Sequence, residues 1–116
     1  MISWMIFSCA VVSVALPIRF AGTCRQYSKN AIAHETRTSE VYYILEGGGT
    51  LVTGGKIVNP KPVPANRSAG PRGEKIEGGV TRHVSKGDLI IIPGRTPHWW
   101  SSLDGDLNYM IIRPDP

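Results

Sequence analysis

Through most of the chain, short runs of alternating apolar and polar positions are cut by glycine and proline, a rhythm that predicts strands and not helices. The clearest run is 41–45, Val-Tyr-Tyr-Ile-Leu, β-branched and aromatic, stopped by Glu46-Gly47-Gly48-Gly49. Residues 50–53 then read as a returning strand, so the two predict a hairpin closed over glycines, with at least one position at positive φ. Residues 80–84 alternate as a half-exposed strand. Four consecutive apolar residues, 89–92, lie between turn signals and predict a strand buried on both faces. A further strand opens at His98, Asp104-Gly105 is a turn, and 107–112 supplies the last strand. No stretch sustains a helical period and no repeat of solenoid length is present, so the pattern predicts an all-β sandwich or barrel.

Two segments depart from this rhythm. Residues 1–17 carry no charged side chain and are apolar at most positions, which suits either the core of an export signal or an N-terminal strand. Ser13 and Ala15 are small residues at the spacing of a cleavage point, though no Lys or Arg precedes the run. Secretion or export to a periplasm is therefore expected slightly ahead of a cytoplasmic location, with 18–116 as the single folded domain. Residues 56–79 contain Asn59-Pro60-Lys61-Pro62-Val63-Pro64 and Ser68-Ala69-Gly70-Pro71-Arg72-Gly73, too poor in backbone donors for central strands. This segment is expected to be a long surface loop, a mobile excursion more than a lid.

At 116 residues the chain is one domain with a modest core. Its net charge of +4 is scattered, with no basic block interleaved with aromatics, so neither nucleic acid nor a membrane span is an expected partner. The two cysteines, Cys9 and Cys24, form no metal-binding motif. If residues 1–17 are cleaved, Cys24 remains alone.

The residue types that carry chemistry cluster at two places. His34 and Glu40 are an even number of residues apart, which in one extended strand puts both on the same face. His98 ends the stretch Gly87-Asp88-Leu89-Ile90-Ile91-Ile92-Pro93-Gly94-Arg95-Thr96-Pro97-His98, where a strand runs into a Pro/Gly turn and out again. By the same parity Tyr42 and Ile44 share the face of Glu40, and Trp100 that of His98. Glu35 has the opposite parity and His83 lies on a polar strand beside Lys86; both are expected at the surface.

At these residues the chain resembles the cupin superfamily of small double-stranded β-helix, or jelly-roll, barrels. His34, Glu40 and Gly47 fall at the spacing of the family's first motif, whose opening glycine falls on Ser28 and whose second histidine falls on Thr36. Gly87, Pro93 and His98 meet the second motif, while Arg95 stands at its inner glycine and Ser102 at its closing asparagine. The resemblance spans residue 30 or so to the end. It implies an all-β jelly-roll barrel in which His34, Glu40 and His98 bind a divalent cation, with Fe, Mn, Zn, Ni and Cu not distinguished by this ligand set. Thr36 then takes the place of a fourth ligand, and Thr36, Tyr42 and Trp100 would face a small organic substrate in the barrel mouth. Arg95 is expected to point into solvent from its turn.

Three functions follow. The first is a metal-dependent enzyme of oxygenase, isomerase, decarboxylase or cyclase type, with His34, Glu40 and His98 at its catalytic centre. The second is a non-catalytic module that binds a small ligand, and the third a metal-free isomerase or cyclase using His98 and Glu40 as acid and base. Many cupins are dimers, and open sheet edges need cover, so a homodimer is expected in which residues 16–31 extend along a partner's sheet, the alternative being a monomer whose own N-terminal segment folds back over the edge.

Overall fold

The computed structural model describes residues 7–12, 18–26, 33–61 and 69–114. All regular structure among them is β: β1 Phe7–Val12, β2 Ile18–Gln26, β3 Ala33–Thr36, β4 Glu40–Glu46, β5 Gly48–Thr53, β6 Lys56–Ile57, β7 Ala69–Gly73, β8 Ile76–Glu77, β9 Val80–Ser85, β10 Leu89–Ile92, β11 His98–Leu103 and β12 Leu107–Pro114. One five-stranded sheet runs β1-β2-β12-β4-β10, the other β7-β3-β11-β5-β9, and β6-β8 is a separate ribbon. Every pairing is antiparallel. From β3 to β5 and again from β9 to β12 the chain changes sheet at each step, the winding of a jelly roll.

The hairpin expected across 41–53 does not form. β4 is bonded to β10 and β12, whereas β5 lies in the other sheet between β11 and β9. The connection is a single residue, Gly47, whose φ is +81° and where a Cβ would collide with the backbone carbonyl oxygen of Asp106, so only glycine fits there. The chain bends sharply at that point and crosses between sheets instead of doubling back.

The core lies between the sheets. Glu40, Tyr42 and Ile44 of β4 face inward while Val41, Tyr43 and Leu45 face out, and Leu107, Tyr109 and Ile111 of β12 are buried in the same alternation. Each fully buried apolar side chain of this kind contributes about 1.5–3 kcal/mol. Leu89–Ile92 differs from its sequence reading: β10 is an edge strand, Ile92 is buried, but Leu89 and Ile91 are 62% and 66% exposed. A run of four apolar residues cannot by itself distinguish a central strand from an edge strand whose outer face stays uncovered.

The 56–79 segment is also more ordered than its composition suggests. It contributes β7, which pairs with β3 at the sheet edge, where Pro71 is tolerated, and the β6-β8 ribbon, whose Ile57 and Ile76 pack with Ala33 and Val52 in a second small core. Only 62–68 fall outside the described residues. Within the apolar N-terminal run, residues 7–12 form β1, and the remainder lies outside the described residues. The segment expected to reach a partner runs instead along its own chain, since β2 pairs with β12 and β1. Among the described residues no helix is long and apolar enough to cross a membrane.

Candidate metal centre

His34, Glu40 and His98 converge at one end of the space between the sheets, with one ligand atom from each lying within 4.8 Å of the others. The route differs from the parity argument. β3 ends at Thr36 and β4 starts at Glu40, and the two strands belong to opposite sheets. His34 and Glu40 therefore face each other across the barrel and do not share a strand. His98 stands directly opposite His34 in the β11–β3 pairing, their rings edge to face with centroids 4.2 Å apart. The Pro/Gly turn before β11 is anchored to the first motif, since the Arg95 N–H donates to the Thr36 carbonyl at 2.7 Å. Arg95 is exposed, as expected, and holds φ at +62°.

The orientation of the His98 ring follows from its neighbours. Its Nδ1 is 3.0 Å from the Thr96 carbonyl oxygen, which can only accept, so Nδ1 carries a hydrogen and the ring is turned with Nε2 toward Glu40. Nε2 is buried, makes no hydrogen bond and lies 3.2 Å from Glu40 Oε1. A lone pair and a carboxylate oxygen at that separation repel unless a cation, proton or metal ion lies between them. Two imidazoles and a carboxylate, one imidazole already oriented by a backbone carbonyl, form a donor set that fits a divalent transition metal.

Glu40 is fully buried and surrounded. Burial alone would push its carboxyl up, but the adjacent His98, the Arg113 guanidinium and His34 more than reverse this, bringing it from the ordinary 4.5 down to about 2. Arg113 Nε and Nη2 each lie 3.2 Å from Oε2. The Thr36 hydroxyl is 3.1 Å from Oε1 and 2.9 Å from the Thr38 carbonyl, and its single proton serves one of them at a time. Thr36 thus lies against the carboxylate.

Arg113 is the site residue that sequence reasoning missed. A signal was present: Leu107, Tyr109 and Ile111 are the inward positions of β12, and the next residue of that parity is an arginine. A charge continuing an apolar face points to a buried partner.

Tyr42 is buried beneath the site, its ring 6.1 Å from that of His98. Trp100 lies one layer further in, stacked on Tyr42 at 6.4 Å and packed against Tyr109. Burial, with Tyr109 and Glu40 close by, raises the Tyr42 phenol well above its usual 10; burial and Glu40 likewise raise that of Tyr109. Both phenols stay protonated at neutral pH. His83 is exposed and paired with Asp104 at 2.5 Å, and Glu35 is half-buried; neither belongs to the converging group.

No protein-family profile matches the chain, and no curated protein sequence is similar to it. Solved structures are. The DMSP lyase DddQ of Ruegeria pomeroyi DSS-3 superposes with a TM-score of 0.63 at 16% identity, over 93% of this chain and 46% of that one. The hydroxypropylphosphonic acid epoxidase of S. wedmorenis gives 0.62 at 14%, over 92% and 49%. A predicted oxalate decarboxylase of Thermotoga maritima gives 0.56 at 14%, over 86% and 69%. The chain spans about half the length of the lyase and epoxidase chains. These likenesses establish its fold as that of the cupins, whose similar structures include metal-dependent enzymes.

Proposed function

We propose that this cupin is a metal-dependent enzyme acting on a small anionic organic molecule bound between its sheets. One observation carries the reading: three ligand atoms, from His34, the buried Glu40 carboxylate and the buried His98 Nε2, lie within 4.8 Å of one another, with Nε2 3.2 Å from Glu40 Oε1 and without a hydrogen-bond partner. His34, Glu40 through Oε1, and His98 through Nε2 would hold the ion. Once bound, the ion would polarise a carbonyl, enol or carboxylate as a Lewis acid or, as iron, activate O₂. The chain's own residues supply the rest. The Thr96 carbonyl orients the His98 ring, Arg113 keeps Glu40 ionised and oriented, and the buried Tyr42 packs beside His98. The small-anion reading draws on the names of similar structures, hydroxypropylphosphonic acid epoxidase and oxalate decarboxylase, and agrees with the net charge of +4.

The acid–base alternative without a metal is weaker, because a carboxyl at about 2 is far from the neutral range where a proton-transferring group works best. A homodimer belongs to the same proposal, with its seat moved from the N-terminal segment to β10. That strand ends its sheet among the described residues, and Leu89, Ile91 and Tyr43 beside it are exposed, so a second copy offers a matching edge and matching apolar side chains.

The test is turnover of a panel of small carboxylates, hydroxy acids and phosphonates by stripped protein and by protein reloaded with Fe(II), Mn(II), Zn(II), Ni(II) or Cu(II). Turnover that appears on reloading with one of these ions supports the proposal. Specific binding of an anion with no turnover under any ion would make the protein a ligand-binding module instead.

A further inference from the structure

β1 and β2 pair in an unbroken register from Phe7↔Gln26 to Val12↔Ala21, and this register puts Cys9 directly opposite Cys24. They are the only cysteines in the chain. Residues directly opposite in an antiparallel pair share a face of the sheet, with Cα atoms about 4.5–5.5 Å apart, inside the range a disulfide spans. A register slip of one residue would put the two on opposite faces. The same row continues through Tyr109 of β12 to Ile44 of β4, so the pair stands in line with the strands that form the core.

We propose that Cys9 and Cys24 form a cross-strand disulfide, a redox-sensitive clip on the N-terminal hairpin. A small-molecule disulfide such as oxidised glutathione is a sufficient oxidant. The thiolate of one cysteine attacks it, forming a mixed disulfide and releasing one reduced thiol; the other cysteine's thiolate then displaces the second. Two protein thiols become one S–S bond, and the oxidant takes up their two electrons and two protons. The clip ties β1 to β2, and β2 is the strand that pairs with β12, the carrier of Arg113. It also requires a mature chain that retains residues 1–17, because cleavage there would remove Cys9.

The experiment equilibrates the full chain with a glutathione redox buffer, quenches with acid, alkylates and measures intact mass, with peptide mapping to locate the link. The expected product is a monomer about 2 Da lighter that takes up alkylating agent only after reduction, with Cys9 joined to Cys24. Its equilibrium constant against glutathione should be at least tenfold higher in buffer than in concentrated urea, where the register is lost. The double variant Thr23→Cys with Cys24→Ser moves the thiol one place along β2 and should lose that advantage. Two free thiols in oxidising buffer, a link between chains, a mature chain lacking Cys9, or equal constants in buffer and urea would each overturn the proposal.

Discussion

Replacing Arg113 with Met tests how the buried carboxylate of the site is held. Arg113 contributes two contacts of 3.2 Å to Glu40 Oε2, and methionine keeps most of the aliphatic stem while deleting the charge. Removing one partner of a fully buried ion pair costs about 3–5 kcal/mol. The Arg113 side chain is 29% exposed, so solvent screens part of the interaction and the expected loss is nearer about 2 kcal/mol. In urea unfolding of metal-free protein at pH 7 this corresponds to a midpoint lower by about 1 M. The pH dependence adds a second readout. The folded Glu40 carboxyl lies at about 2, below its ordinary 4.5, so the unfolded chain binds the proton more readily. The stability Glu40 contributes is therefore complete above 4.5 and is lost as pH falls toward 2. Without Arg113 burial is less opposed, the folded value rises, and this acid limb shrinks or moves to higher pH. A variant within about 0.5 kcal/mol of the parent, with an unchanged acid limb, would refute the reasoning.

Three other outcomes are expected. Thr36→His supplies a further imidazole beside Glu40 and should tighten divalent metal binding about tenfold in calorimetric titration, whereas unchanged affinity would mean position 36 does not reach the ion. Arg95→Gly relieves a left-handed backbone and should raise stability by about 0.5–1 kcal/mol in chemical denaturation; a loss would show that the Arg95 side chain holds its turn more strongly than the strain opposes it. Leu89→Lys combined with Ile91→Lys should convert a dimer to monomer in sedimentation at micromolar concentration, and a parent sedimenting as a single 12.6 kDa species would remove the dimer from the proposal.

The legible parts of the sequence were those set by local chemistry. The β character of the chain, the strands at 41–45, 80–84 and 107–112, and the His34, Glu40 and His98 group could all be read from composition, alternation and resemblance. What failed was information held between strands. Nothing around Gly47 shows that the chain crosses to the other sheet, because the partners that draw β4 and β5 apart, β12 and β10 on one side and β11 and β9 on the other, lie far along the sequence. Leu89 and Ile91 look buried because hydrophobicity does not record which strand ends a sheet. Shared parity expected His34 and Glu40 on one face of one strand, whereas they converge from opposing sheets across the turn at 37–39. Arg113 stood at the next inward position after Leu107, Tyr109 and Ile111 and was overlooked, whereas the opposition of Cys9 to Cys24 depends on pairing register, which no single stretch of sequence contains.

The central claim is that His34, Glu40 and His98 form one metal site, and its most direct test is metal stoichiometry. The parent protein and His98→Ala would be stripped, reloaded with Fe(II), Mn(II), Zn(II), Ni(II) or Cu(II) in turn, desalted and measured by elemental analysis, with circular dichroism to confirm a folded β protein. The account predicts one tightly held ion per parent chain and none in folded His98→Ala. A parent chain that retains none of these ions after reloading, or a His98→Ala variant that retains a full equivalent, would contradict it.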